Sequence, residues 1–192
     1  MKDNLIRFIQ QVLPMSPDRA EQVVAKFNPV KIKRGEFLLK AGAVCNASHF
    51  MGKGIARSYA YDLHRNEVTT AFYPANSYTS DLLSFFKRTP AREYIQAITD
   101  CETWSITYED MQASFHAIPE FREFGRLNIV NQYSLLKERM LSNLQEPAEK
   151  RYYDLIRAHP EILQQVPLKY IASYLGIADT SLSRIRKEMV KK

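Results

Sequence analysis

The sequence predicts an α+β protein in which N-terminal helices precede an antiparallel β-barrel or sandwich, a long helix and a small all-α domain. Three observations carry this prediction: β-branched and aromatic segments between Val30 and Tyr108, a proline-free stretch over 120–146, and a compact pattern of apolar positions after Leu168. The 192 residues, 45% of them hydrophobic, can bury one core and a small second one. We expect three parts, covering residues 1–118, 119–146 and 147–192.

Two amphipathic helices open the chain. The first is expected to run to about Leu13, on a helically spaced apolar set: Leu5, Phe8, Ile9, Val12 and Leu13. Ser16-Pro17 has the form of an N-cap followed by proline, and predicts a second helix. This start lacks the continuous apolar block of a secretory signal, and no run of about 18 apolar residues follows. We therefore expect a cytoplasmic protein with no membrane partner.

Short segments typical of β-strands fill the next region. Turn residues such as Gly52-Lys53-Gly54 separate them. The predicted strands are Phe37 to Leu39, His49 to Met51, Ile55 to Tyr61, Glu67 to Tyr73, Tyr94 to Thr99 and Glu102 to Thr107. This spacing indicates an antiparallel sandwich or barrel, and only Asp81 to Lys87 favours a helical turn.

A long helix is predicted over the stretch 120–146. One apolar stripe on it consists of Ile129, Tyr133, Leu136, Met140 and Leu144, and a second lies beside it. Two adjoining stripes suit a helix that packs on its own domain and also on a partner. The stripe is therefore our candidate dimerisation face, and the alternative is a helix covered entirely by its own domain.

The C-terminal pattern is that of a helix-turn-helix between Leu168 and Val190. Apolar residues fall where two short crossing helices need inner faces, at Ile171, Leu175, Ile177, Leu182 and Ile185. Ala172 is small where the helices approach each other. Gly176 is placed at the turn, where the backbone needs a left-handed conformation.

The outward residues of this motif predict an interface with double-stranded DNA. The segment from Pro147 onward carries nine Lys/Arg and five Asp/Glu, and ends in Lys191-Lys192. We expect Thr180, Ser181 and Arg184 to contact bases, and Ser183, Arg186, Lys187, Lys169 and Tyr170 to contact the DNA backbone. Asp179 would repel phosphates and is expected to cap the helix instead. The alternative is a solvated polar face on a structural hairpin.

Other chemistry finds little support in the sequence. The four histidines have no partner at helical spacing, so no metal site is expected. No phosphate loop or Gly-x-Ser-x-Gly elbow occurs, and no catalytic residues are predicted. Cys45 and Cys101 are expected to be small buried hydrophobic residues.

This order of elements resembles the Crp/Fnr superfamily of transcription regulators over nearly the whole chain. The likeness is carried by Arg34 to Gly42, Lys53 to Tyr59, Val166 to Ile177, and Ser181 to Lys187. It implies a cyclic-nucleotide-binding-like β-roll, or jelly roll, as effector domain over 1–118. It also implies a homodimer through the long helix and RNA polymerase as a partner. The chain stops at Lys192, so the resemblance is to a short form without the C-terminal wing.

The sequence departs from the phosphate-binding cassette of this family. Where cyclic-nucleotide binders have Gly-Glu-Leu and later Arg-Ser or Arg-Thr, this chain has Ser80-Asp81-Leu82 and Arg92-Glu93. Asp81 and Arg92, with Arg88 as a second cation, are the candidates for an effector pocket, and the alternative is a surface salt bridge. Glu93 brings negative charge to the expected phosphate position. Cyclic AMP is therefore disfavoured, and the pocket is expected to hold another ligand or none.

The leading hypothesis is thus a DNA-binding transcription regulator with no bound cofactor and no enzymatic activity. One alternative is a ligand-binding or partner-docking module without DNA binding. An enzyme using the barrel cavity ranks last, because no residue constellation supports it. The operator, the effector, the controlled genes and the direction of regulation are not encoded in these patterns.

Overall fold

The computed structural model describes residues 2–191, with side chains for residues 2–189. Two helices open the fold, α1 (Lys2–Val12) and α2 (Pro17–Val24). Ser16 caps α2, since its hydroxyl accepts a hydrogen bond from the Arg19 amide at 3.4 Å. Both predicted helices are confirmed, and α1 ends one residue earlier than expected.

Across residues 2–191, eight antiparallel strands form two four-stranded sheets. Their bounds are β1 (Asn28–Ile32), β2 (Phe37–Leu39), β3 (Ala47–Lys53), β4 (Ala56–Tyr61), β5 (Glu67–Tyr73), β6 (Ser77–Thr79), β7 (Tyr94–Ala97) and β8 (Cys101–Thr107). The sheet orders are β1-β8-β3-β6 and β2-β7-β4-β5, which leaves β5 at an edge. The predicted β-roll is confirmed. Strands β1 and β6 were missed, because proline within β1 and the shortness of β6 hide the alternating pattern.

The core of the β-roll is formed by residues of its two sheets together with residues of the helices that pack against them. Phe50, Met51 and Ile106 are fully buried there. Phe8 of α1 packs its ring 5.2 Å from that of Phe50 and 5.6 Å from that of Tyr78. The helix α3 (Leu82–Lys87) lies between β6 and β7, where the sequence predicted a helical turn.

Two helices lead out of the β-roll, α4 (Tyr108–Ala117) and α5 (Pro119–Gln145). The first turns of α5 are held by Phe121 and Phe124, which are buried against the roll. Beyond Gly125 the helix leaves the core, and most of its side chains are exposed. Within residues 2–191, no helix combines the length and apolar composition that crossing a membrane requires.

Four further helices follow: α6 (Ala148–Ala158), α7 (Pro160–Gln165), α8 (Leu168–Leu175) and α9 (Asp179–Lys191). They enclose a second core around Tyr152, Ile162 and Leu182. Ile55 and Ile98 of the β-roll belong to the same cluster. The helical part therefore packs directly against the barrel.

Candidate nucleic-acid interface

Helix α8, a tight turn and helix α9 follow one another over the segment that was predicted to be a helix-turn-helix. Gly176 ends α8 with φ 67° and ψ 33°, the left-handed conformation expected from its position. The amide of Ile177 then donates to the Ala172 carbonyl at 3.0 Å, which closes the turn. Leu182 is fully buried and Ile185 is 9% exposed, so α9 is held along one side.

The opposite side of α9 faces solvent. Of the predicted base-contacting residues, Thr180 and Arg184 are exposed and Ser181 is half-buried. Of the predicted phosphate contacts, Ser183, Lys187 and Lys169 are exposed, and Arg186 is half-buried. The side chains of Lys191 and Lys192, counted in the basic end of the sequence, lie outside the described residues.

Three cations of α9 have no ion pair with the described carboxylates. No described carboxylate lies within ion-pair distance of Arg184, Arg186 or Lys187. Asp179 is the first residue of α9 rather than its cap, because the Ala178 carbonyl already accepts from the Leu182 amide at 3.1 Å. A carboxylate in this first turn is favoured by the partial positive charge of the helix N-terminus.

Tyr170 occupies a different place from the one predicted. It is half-buried, and its ring lies 3.5 Å from the guanidinium carbon of Arg57 in β4. The Lys169 ammonium lies 5.0 Å from the same ring. The structure therefore places Tyr170 in the contact between α8 and the barrel, where the sequence analysis had expected a phosphate contact.

Arg57 is a buried cation of this contact. Its side chain is 1% exposed and lies between the rings of Tyr170 and Tyr59, the second at 4.2 Å. The guanidinium forms an ion pair with Glu67 and donates to the Thr69 hydroxyl at 3.4 Å. Burying a charge is costly unless it is paired. Both aromatic faces and the carboxylate compensate this cost.

Ser173 joins α8 to the edge strand β5. Its hydroxyl accepts from the Thr69 amide and donates to the Glu67 carbonyl, both at 2.9 Å. These are backbone groups of an edge strand that would otherwise lack partners on this side. Nearby, the Phe72 and Tyr174 rings pack with their centres 5.1 Å apart.

Arg139 connects three elements at once. It reaches from α5 to the Thr70 carbonyl of β5 and donates to the Tyr174 carbonyl of α8 at 3.1 Å. Its guanidinium also lies 3.9 Å from the centre of the Tyr174 ring. Burial lowers the pKa of the Arg139 guanidinium below its usual value. Sequence reasoning missed Arg57, Ser173 and Arg139, since the contacts that join them to other parts of the fold are with residues distant along the chain: Tyr170 for Arg57, Thr69 for Ser173 and Tyr174 for Arg139.

The candidate dimerisation face is an apolar strip in solvent. The exposed fractions are 40% for Ile129, 66% for Tyr133, 65% for Leu136, 46% for Met140 and 77% for Leu144. Val130 and Leu135, at 51% and 52%, widen the strip. These exposed fractions exclude the alternative of a helix covered entirely by its own domain.

The candidate effector residues are not assembled into one site. Asp81 caps α3, since its carboxylate accepts from the Ser84 amide at 3.0 Å. Arg88 donates to the Cys45 carbonyl at 2.8 Å and lies over the Tyr108 ring at 4.1 Å. Arg92 is exposed. Backbone hydrogen bonds thus engage two of the three residues, and within the described chain none of the three forms the surface salt bridge that was the alternative.

Glu93 faces the interior of the roll instead. Its carboxylate accepts from the Thr70 hydroxyl at 3.1 Å, and that hydroxyl lies 2.7 Å from the hydroxyl of Ser58. Burial raises the pKa of Glu93, with a further increase from the nearby Asp81. The position expected to face a cyclic phosphate is therefore an acidic group already engaged in hydrogen bonds.

Cys45 and Cys101 are buried and unpaired, as expected of small hydrophobic residues. In the part of the chain that the structure describes, no group of three His, Cys, Asp or Glu side chains could hold a metal ion.

Comparison with known proteins agrees with this architecture. Residues 29–117 match the family profile of the cyclic nucleotide-binding domain. No curated protein matches the sequence at a significant level. FixK2 from Bradyrhizobium japonicum superposes with a TM-score of 0.72 at 13% identity, over 86% of this chain and 85% of that one.

Two further regulators have the same fold. CLP of Xanthomonas campestris, a c-di-GMP responsive global regulator, has a TM-score of 0.68 at 13% identity over 92% of each chain. A transcriptional regulator of the Crp/Fnr family from Eubacterium rectale has a TM-score of 0.69 at 14% identity, over 94% of this chain and 88% of that one. Residues 29–117 thus form a domain of the cyclic nucleotide-binding type. The chain as a whole has the fold of these solved regulators, which confirms the resemblance at the level of the fold.

Proposed function

We propose that the protein is a sequence-specific transcription regulator of Crp/Fnr type that binds double-stranded DNA as a homodimer. The observation that carries this proposal is the exposed face of α9, with Arg184 and Lys187 unpaired among the described residues and Leu182 buried behind them. A helix held this way can enter the major groove. A protein acting on the chromosome would work in the cytoplasm, in a regulatory rather than an enzymatic role.

The side chains of α9 divide into two proposed roles. Thr180, Ser181 and Arg184 lie toward the start of the helix, where base edges are contacted, and arginine suits bidentate bonding to guanine. Ser183, Arg186, Lys187 and Lys169 would hold phosphates. Tyr170 is left out of this set, because its ring is engaged by Arg57.

The exposed strip of α5 supports the dimer. Apolar side chains from Ile129 to Leu144 would be buried by the same strip of a second copy, as in a two-helix coiled coil. Two recognition helices would then meet a near-palindromic operator about one turn apart. RNA polymerase remains a proposed partner on the analogy of fold alone.

The effector, where one exists, is proposed to be different from cyclic AMP. A cyclic phosphate in the roll would face Glu93 rather than a hydroxyl, and Arg92 is exposed. Even with a raised pKa, the half-buried carboxylate of Glu93 offers no compensation for a phosphate charge.

Anisotropy titration of labelled fragments from upstream of the encoding gene tests DNA binding. We expect specific binding with affinity falling steeply as salt rises, because phosphate contacts release counterions. Arg184→Ala should lose about 1–3 kcal/mol of binding free energy on a specific fragment. Arg122→Ala serves as the matched control, because Arg122 is an exposed arginine near the start of α5. Equal affinity for specific and random fragments, or an inert Arg184→Ala, would favour a ligand-binding or partner-docking module instead.

A further inference from the structure

The short helix α3 presents an apolar face to solvent. Leu82, Leu83 and Phe86 lie within about 100° of one another around the helix axis. They are 40%, 56% and 37% exposed, whereas Ser84 and Phe85 on the other side of the helix are buried. Half of this helix is therefore large apolar surface that its own fold leaves in water, which is typical of an interaction site.

This face of α3 continues the exposed strip of α5. Leu82 and Phe86 line one cleft together with Gly125 and Ile129 of the long helix. Ile129, which is 40% exposed, is also the first residue of the strip. The two apolar surfaces are therefore neighbours, and a second copy that covers the strip lies beside α3.

The strip by itself is a short seam for a dimer. Its residues from Ile129 to Met140 are spaced 4, 3 and 4 apart, which is the a/d pattern of a two-stranded coiled coil. The next a/d positions on either side are polar, Arg126 and Asn143. The apolar seam thus covers less than two heptads, whereas coiled coils usually extend over about three or four. A stable dimer of this chain needs more buried surface than the seam provides.

The position of the helix-turn-helix sets the direction in which two α5 helices would run. Both copies carry α9 after the C-terminal end of α5, and both recognition helices have to reach one operator. Under the proposed function, the two α5 helices are therefore parallel. In a parallel pair, each g residue faces the e residue five positions later in the other helix. In this register, Gly125 is a g residue and Val130 of the second copy is the e residue that faces it.

The residues at this g–e pair suit a contact with α3. Such pairs are usually charged in coiled coils, whereas Val130 is apolar and Gly125 has no side chain. The empty position beside Gly125 allows Val130 of the second copy to reach the edge of the cleft where Leu82 and Phe86 lie. Val130 is 51% exposed in the single chain, so its burial there would stabilise the dimer.

We propose that α3 is part of the dimer interface, with Val130 of each copy packed against Leu82 and Phe86 of the other. Leu83 lies at the outer edge of this contact. The inference rests on the proposed homodimer and adds a second surface to it. Because α3 belongs to the β-roll, the contact joins the β-roll of one copy to the long helix of the other.

Thiol cross-linking of the full chain with a short bismaleimide tests this contact. On a denaturing gel, Leu82→Cys/Val130→Cys should run at twice the 22.3 kDa mass of the chain, and Val130→Cys alone at the mass of one chain. Leu82→Cys/Leu144→Cys is the matched control. Leu144 has the same heptad position and is 77% exposed, but it lies about 21 Å further along α5, so this variant should stay uncross-linked. Cys45 and Cys101 are buried, and the wild type measures their background.

Leu136→Cys separates this inference from the proposed function. Leu136 is a d residue of the seam, so its two thiols face each other and should cross-link in any parallel dimer through α5. Cross-linking of Leu136→Cys but not of Leu82→Cys/Val130→Cys would overturn the α3 contact and leave the proposed dimer standing. Cross-linking in neither variant would overturn both.

Leu82→Glu tests the contribution of this contact to association. Symmetry removes the apolar contact twice, so the dimer dissociation constant should rise about tenfold or more in sedimentation equilibrium. A glutamate is tolerated in the first turn of a helix, and an unchanged unfolding temperature of the isolated protomer checks the fold. Leu63→Glu, at a fully exposed position of the β4–β5 hairpin, should dimerise as the wild type does. A dissociation constant for Leu82→Glu equal to that of the wild type would refute the contact.

Discussion

The guanidinium carbon of Arg57 lies 3.5 Å from the centre of the Tyr170 ring. One residue belongs to a strand of the β-roll and the other to the first helix of the helix-turn-helix. This contact, the Ser173 bonds to β5 and the Arg139 bonds to β5 and α8 all join the same two parts of the chain. The orientation of α9 is therefore tied to the β-roll by specific polar contacts, in addition to the shared apolar core.

The stacking of Arg57 on Tyr170 can be measured by a double-mutant cycle with Arg57→Met and Tyr170→Leu. We expect a coupling free energy of about 1–2 kcal/mol in chemical unfolding, because the pair is desolvated. Tyr170→Phe keeps the ring and should preserve the coupling. Strictly additive effects of the two substitutions would show that the stacking contributes nothing to stability.

Ser173→Ala should loosen α8 from the edge of the sheet. The Thr69 amide would lose its partner while remaining buried, which costs about 1–3 kcal/mol of unfolding free energy. Hydrogen exchange at the Thr69 amide should become faster. Ser134→Ala is the matched control, since that exposed hydroxyl bonds only to the Val130 carbonyl in its own helix. Unchanged exchange at Thr69 in Ser173→Ala would contradict the predicted role of this hydroxyl.

The lowered pKa of His49 predicts that the folded protein loses stability in mild acid. Burial lowers the pKa of this imidazole from 6.5 to about 4. Between these values the unfolded chain binds a proton that the folded chain does not, so stability is complete above pH 6.5 and falls as the pH drops toward 4. The loss reaches at most about 3 kcal/mol, since each pH unit between the two pKa values is worth about 1.4 kcal/mol.

Urea unfolding at several pH values measures this loss. His49→Gln should flatten the dependence between pH 6.5 and 4, because glutamine does not titrate. His64→Gln, in an exposed hairpin turn, should leave the wild-type slope unchanged. A wild-type slope that persists in His49→Gln would assign the titration to another group.

Local patterns predicted the elements whose residues are close in sequence. Helical spacing identified α1 and α5, and Gly176 marked its turn because only glycine adopts that conformation cheaply. The alternation of β4 does not reveal that Arg57 is buried, since Tyr170, the ring that covers it from α8, lies far along the chain. Asp81 and Arg88 matched a ligand pocket by type, yet nearby backbone groups bind both. The backbone groups that compete with a ligand for these two side chains can be identified only once the loops have a defined shape.

The exposed strip of α5 predicts that one charged substitution within it dissociates the proposed dimer. Leu136 is 65% exposed in one chain, so Leu136→Glu should leave the protomer folded. Symmetry places the change in both copies, and losing about 1.5 kcal/mol or more of apolar burial twice weakens association at least about 100-fold. Sedimentation equilibrium should then give a mass near 22.3 kDa for the variant and twice that value for the wild type.

Leu63→Glu is the matched control, because Leu63 is fully exposed at a hairpin tip of the β-roll, away from α5. It should sediment as the wild type does. DNA affinity should fall in Leu136→Glu but not in Leu63→Glu, since a monomer contacts one half-site and loses the gain from simultaneous binding. A wild-type chain that sediments as a monomer, or a Leu136→Glu variant that remains dimeric, would remove α5 as the dimer face.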